Sequence, residues 1–92
     1  MARCTHLDMV AVAAVPEDRK GDAVCAACVA IGGSWVHLGQ CRTCGVVLCC
    51  DDSPHRHARA HAEADDHPII TSAEPGERWS YCFVDDVVLS LD

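Results

Sequence analysis

Ninety-two residues carrying a formal net charge of −7 make one small domain, 1–92, with room for only a modest core. The seven Lys and Arg are scattered and form no basic stripe, which argues against nucleic acid and anionic membrane as partners. Eight Cys and six His far exceed ordinary usage, and a chain this short needs disulfides or metals to hold its fold. No signal peptide is visible and the apolar run Met9–Val15 is too short to cross a membrane, so the expectation is a reduced, cytoplasmic, monomeric protein whose Cys and His take up zinc.

Cys4-x-His6 places two metal-type ligands near the N-terminus, where a metal would tie down an end that otherwise frays. Leu7–Val15 is apolar without a clear period and reads as a buried arm or short irregular element. Pro16 to Asp22 reads as a solvated loop. Cys25-x-x-Cys28 is a knuckle leading into Val29–Ile31, which stops at Gly32-Gly33. Trp35–Leu38 has strand character, with Trp35 and His37 on one face.

The stretch from Cys41 to His67 is the richest in ligands. Cys41-x-x-Cys44 sets two thiolates on a tight turn that Gly45 relieves, so both can point at one zinc ion. Val46–Leu48 is a second strand, followed by Cys49 and Cys50. A helix is expected over Pro54–Ala64, with Asp52 or Ser53 as N-cap and Pro54 in the first position. His57 and His61 are four apart and lie one turn apart on that helix. The H-x-x-x-H pattern of zinc proteases needs Glu after the first His; Ala58 stands there, so the pair reads as structural ligands. Asp65-Asp66 suits a helix C-terminus poorly, and His67 as a ligand would compensate. Pro68–Ser72 reads as a third strand and Trp79–Val84 as a fourth, with Trp79, Tyr81 and Phe83 on one side of the pleat. Val87–Leu91 is either an edge strand or a short helix. The fold expected is α+β: a short antiparallel sheet packed against one main helix, stabilised by two to three interleaved zinc sites, with metal binding coupled to folding.

Together, C-x-x-C, the Trp strand, C-x-x-C-x4-C, H-x3-H-x5-H and the late W-x-Y-C-F segment resemble the UBP-type zinc finger of ubiquitin-specific proteases, and most of all its short stand-alone bacterial versions. The resemblance runs from Cys4 to about Val88. It implies one site of Cys25, Cys28, Cys49 and His57, and a second of Cys41, Cys44, His61 and His67. In three-zinc members the N-terminal C-x-H joins a late C-x-x-C; Cys4, His6 and Cys82 match here, and Asp85 takes the fourth place as a possible carboxylate ligand. Cys50 could replace Cys49, though the spacing from Cys44 favours Cys49. His55 is expected to be exposed, and His37 to be a surface or groove residue.

Ubiquitin-binding members hold a C-terminal Gly-Gly tail in an aromatic pocket and meet its carboxylate with an Arg. By resemblance Trp35 and Phe83, with Tyr81 and Trp79 nearby, supply the aromatic half. The Arg has no counterpart: Asp51 follows Cys49-Cys50, and repulsion there is worth on the order of several kcal/mol at about 4 Å unless Arg56, Arg42 or Arg78 substitutes. The expected function is a non-catalytic protein-interaction module that holds a peptide or chain terminus near Trp35, Tyr81 and Phe83, without ordinary ubiquitin binding. The alternative is a redox-responsive zinc switch using Cys50 beside the zinc thiolates. Four protein ligands at each main site leave no open position for a catalytic water, so no enzyme is expected.

Overall fold

The computed structural model describes residues 9–50 and 53–89. Among them, a 3₁₀ helix at Glu17–Asp22 is followed by α1 (Ala26–Ile31), β1 (Leu38–Cys41), β2 (Val47–Cys49), α2 (His57–Asp65), β3 (Ile69–Ser72), β4 (Ser80–Cys82) and β5 (Val87–Leu89). The five strands form one antiparallel sheet in the order β2-β1-β3-β4-β5. Helix α2 packs on β1 and β2, as an α+β zinc domain requires, and α1 packs on β2.

Two element starts differ from the sequence expectation, for the same reason. The first strand begins at Leu38, not Trp35. The amide of Val36 donates to Ser53 Oγ at 2.8 Å and that of Leu38 to Glu74 Oε2 at 3.0 Å, so side chains from elsewhere take the hydrogen bonds that an earlier start would need. Ser53, thus engaged, does not cap α2. That helix begins three residues later than Pro54, after Arg56 in a left-handed conformation (φ 48°), and the amide of His57 donates to Cys49 Sγ at 3.1 Å. At the other end Asp66 adopts φ 56° and donates its amide to Ala62, a geometry that a short polar side chain tolerates.

Helix α1 was not expected. Its cap is a thiol: Cys25 Sγ accepts the Cys28 amide at 3.4 Å, and Gly32 closes it at φ 68°. The expected loop at Pro16–Asp22 is wound as 3₁₀ helix and buries Lys20, whose Nζ lies 3.3 Å from Glu17 Oε2 and donates to the Glu77 carbonyl. The strand expected over Trp79–Val84 is confined to Ser80–Cys82. Of the two alternatives for the last apolar piece, the edge strand is the one formed.

Of the two readings of the apolar run, residues 9–15 form the irregular element; none of them is buried. The arm lies along β1, where the amides of Ala11 and Val12 donate to the Arg42 carbonyl and Gln40 exchanges hydrogen bonds with Val15 and Ala13. Beneath it a polar row is buried and satisfied: Arg42 Nη1 donates to Thr71 Oγ1 at 2.9 Å, and Thr71 Oγ1 lies 2.7 Å from Ser80 Oγ. The apolar interior is correspondingly small. Among the described residues, Ile69 is the only aliphatic one of the nine largest fully buried side chains and five are cysteines, so sulfur fills the space where other domains place Leu or Phe.

Candidate metal centres and the groove beside them

The first cluster gathers Cys25 and Cys28 from the start of α1, Cys49 from the end of β2 and His57 from the first turn of α2. The His57 Nδ1 atom stands 3.5 Å from Cys25 Sγ, 3.3 Å from Cys28 Sγ and 3.5 Å from Cys49 Sγ, and the Cys28 and Cys49 sulfurs are 3.8 Å apart. A zinc tetrahedron with bonds of about 2.3 Å to sulfur and about 2.0 Å to nitrogen has edges of about 3.8 Å between sulfurs and about 3.5 Å between sulfur and nitrogen. The residues fit the ion.

The second cluster gathers Cys41 at the end of β1, Cys44 in the following turn, His61 on α2 and His67 just beyond it. Cys41 Sγ lies 3.5 Å from His67 Nδ1, Cys44 Sγ lies 3.4 Å from His61 Nε2, and the two ring nitrogens are 3.2 Å apart. These edges suit the same tetrahedron. Gly45, at φ 89°, makes the turn that brings the two cysteines together, with its amide donating to the Cys41 carbonyl. His61 is oriented by Asp65, whose Oδ2 is 2.9 Å from Nδ1.

Without metal the thiols of the first cluster do not ionise alike. Burial pushes the Cys28 thiol up to about 12, with hydrogen bonds and charge from Cys25 and Cys49 adding to it. Burial also raises Cys25, but hydrogen bonds from the backbone and thiol of Cys28 and of Cys49 outweigh it and hold Cys25 below the ordinary value. In the second cluster burial raises Cys41. Binding a metal therefore displaces protons from these sulfurs.

Cys50 belongs to neither cluster; its Sγ is 3.7 Å from Ser53 Oγ. Cys82 is buried, with Asp85 Oδ2 at 3.7 Å from its sulfur and the Asp85 amide donating to that sulfur at 3.4 Å. Cys4, His6 and Asp51 lie outside the described residues.

Beside the clusters is a depression of about 390 Å³ to which His37, Arg59, Glu77, Trp79, Tyr81 and Phe83 contribute, with Cys50 also on its wall. Tyr81 and Phe83 meet edge to face at 5.4 Å between centroids. Trp35, expected here, is absent from the lining and packs instead against the core around the first cluster, because the chain has not yet entered β1. None of the three proposed arginines lines the depression: Arg42 is buried under the arm, Arg56 precedes α2 on the surface and Arg78 lines a separate cleft. The arginine present is Arg59, whose guanidinium sits over the Phe83 ring at 4.8 Å from its centroid. Arg59 lies midway between His57 and His61, about 200° around the helix from each, so two histidines turned toward metals aim it elsewhere. That spacing was the available signal. Glu77, also unforeseen, accepts from Ser72 Oγ at 2.7 Å and from Trp79 Nε1 at 3.1 Å.

Two interleaved Cys/His tetrahedra on a small antiparallel sheet define a zinc-finger module. Residues 25–90 match the family described as the Zn-finger in ubiquitin-hydrolases and other proteins, and the chain belongs to that family. It is also similar to the solution NMR structure of protein RPA1320 from Rhodopseudomonas palustris, with 43% identity and a TM-score of 0.76 over 99% of this chain and 84% of that one. A search of curated proteins returns no match. Among the described residues no helix is long and apolar enough to cross a membrane.

Proposed function

We propose that this chain is a non-catalytic, zinc-stabilised module that holds a peptide, ending in a free carboxylate, in the depression beside its metal centres. The observation that carries the reading is the convergence of Trp79, Tyr81 and Phe83 with one guanidinium, that of Arg59, in a single cavity. Aromatic walls enclose a small-residue terminus, and a guanidinium is the group that pairs a carboxylate in fork geometry. Both clusters offer four protein ligands, so an ion in either is coordinatively closed and activates no water. The residues at Cys82 and Asp85, with Cys4 and His6, are proposed as a third and weaker zinc site. A reducing, cytoplasmic setting belongs to the same proposal, since both clusters need unbridged thiols as ligands.

The test is a titration of the zinc-loaded protein with a peptide ending in Leu-Arg-Gly-Gly, as free acid and as C-terminal amide, followed through the indole signal of Trp79. Saturable binding of the free acid alone supports the reading. Equal binding of both removes the carboxylate from it, and no response to either removes the peptide terminus altogether.

A second reading rests on Cys50, which faces the same depression next to the ligand Cys49. Oxidation there would place a new group against a zinc thiolate and release the metal. Zinc retained under mild peroxide would remove this reading.

A further inference from the structure

The two clusters differ in how far their sulfurs are closed off. In the first, Cys25, Cys28 and Cys49 have no exposed surface at all. In the second, Cys41 is buried but Cys44 is exposed, the one exposed thiol of the five that the clusters contain. Cys44 borders a hollow of about 640 Å³ between α1 and α2. Ala60 and Ala64, one turn apart on α2, line it together with Ala26 and Ala27 from α1, and Leu48 of β2 contributes to it as well. Four alanines at these positions leave apolar space that longer side chains would fill, and Asp65 stands on its edge as an acid. A second thiol is at hand: the donor atoms of Cys41, Cys44, His61 and His67 all lie within 4.8 Å of one another.

We propose that Cys44 is a modification site, at which a small, neutral, apolar disulfide seated in this hollow exchanges with the second centre while the first stays closed. Cys44 Sγ, as a thiolate, attacks one sulfur of the disulfide. A new S–S bond forms to Cys44, the old one breaks, and its electron pair leaves with the outer half as a thiolate. Cys41 Sγ then attacks the Cys44 sulfur of this mixed disulfide and expels the second half in the same way. Two cysteine thiolates lose two electrons in all, and the small disulfide gains them as two thiolates. The Cys41–Cys44 disulfide leaves His61 and His67 as the remaining ligands, too few to hold zinc. Asp65 and the net charge of −7 act against an anionic disulfide. The site is separate from Cys50, which belongs to neither cluster and lines the other depression.

The probe is dithiodipyridine, a neutral aromatic disulfide, added in equimolar amount to the zinc-loaded Cys50→Ser chain, so that the thiol beside Cys49 does not compete. Native mass spectrometry counts the zinc, and acid quenching with peptide mapping locates each new disulfide. The expected result is loss of one zinc ion in step with a Cys41–Cys44 disulfide, with Cys25, Cys28 and Cys49 unmodified. Ala60→Leu places a good helix former at an exposed position, keeps the starting zinc content, fills part of the hollow and should slow the reaction about tenfold. A carboxylate-bearing aromatic disulfide, its rate scaled to that with a free cysteine peptide, should react more slowly than dithiodipyridine. Modification of Cys25, Cys28 or Cys49 before or alongside Cys44 would overturn the proposal, as would loss of zinc with Cys41 and Cys44 both unmodified. An unchanged rate in the Ala60→Leu chain would overturn the hollow as the place where the disulfide sits.

Discussion

Asp65 Oδ2 stands 2.9 Å from His61 Nδ1, one turn along α2, and this contact determines which imidazole nitrogen faces the second metal centre. With Nδ1–H donating to the carboxylate, Nε2 is left as the basic atom, and it is Nε2 that lies 3.4 Å from Cys44 Sγ. Asp65→Ala should lower zinc affinity at this centre about 10- to 100-fold and leave the first centre unaffected. Competition against a chromophoric chelator, which separates two classes of zinc, checks it. An unchanged weaker class would show that His61 is held by packing alone.

Removing the metals should unfold most of the chain. Five of the nine largest fully buried side chains are cysteines, so stripping the ions leaves a cluster of thiols where a core should be. A strong chelator is expected to abolish the far-ultraviolet circular dichroism signal and zinc to restore it. A native-like spectrum with no zinc bound would contradict the account.

The two tryptophans should separate stability from binding. Trp35 is half-buried against the core of the first centre, whereas Trp79 is 40% exposed on the depression wall. Trp35→Ala should destabilise the fold by about 2 kcal/mol, below the full cost of a buried aromatic. Trp79→Ala should keep the denaturation midpoint and lose the peptide response. The reverse pattern would return Trp35 to the site.

Adjacent cysteines should behave differently. Cys49→Ser removes a ligand that also accepts the first amide of α2 and is expected to cost one zinc ion; Cys50→Ser should cost none. Native mass spectrometry counts the ions. Loss of zinc from the Cys50 variant would mean that the sulfur at position 50 is the ligand.

Glu77 gives the fold a dependence on acid. The Ser72 hydroxyl that donates to it, together with the Trp79 indole and the positive charge of His37 and Lys20, outweighs burial and holds its carboxyl below the ordinary value of 4.5. A carboxyl depressed in the folded state stabilises above its unfolded value, and that contribution is lost as pH falls through the folded one. The stability gap between the parent and Glu77→Gln should therefore shrink as pH falls below 4.5, measured by urea denaturation in excess zinc. A gap that does not vary with pH would mean that only the hydrogen bonds matter.

The ligand spacings and the strand at Ile69–Ser72 were legible because they depend on local chemistry: two thiols across a knuckle, a β-branched run between turns. The starts of β1 and α2 were not, because their amides are satisfied by Ser53, Glu74 and Cys49, and the Leu38–Glu74 bond spans 36 residues. Helix α1 escaped notice because its cap is Cys25 sulfur in place of the usual oxygen. Trp35 was misplaced as a consequence of the strand being started too early. Arg59 bears no local mark in the sequence, because the depression is completed from α2 and not from the residues that follow Cys49 and Cys50.

Helix α2 is nine residues long and is fastened by His57 to one centre and by His61 to the other. A helix this short is hardly stable alone in water. Its two histidines, four residues apart, reach different clusters, so the helix is held at both ends of one turn. Arg59 lies on the turn between the two fastenings, so its position over Phe83 depends on both. The cation over Phe83 is therefore carried by a helix held through two groups of metal-type ligands.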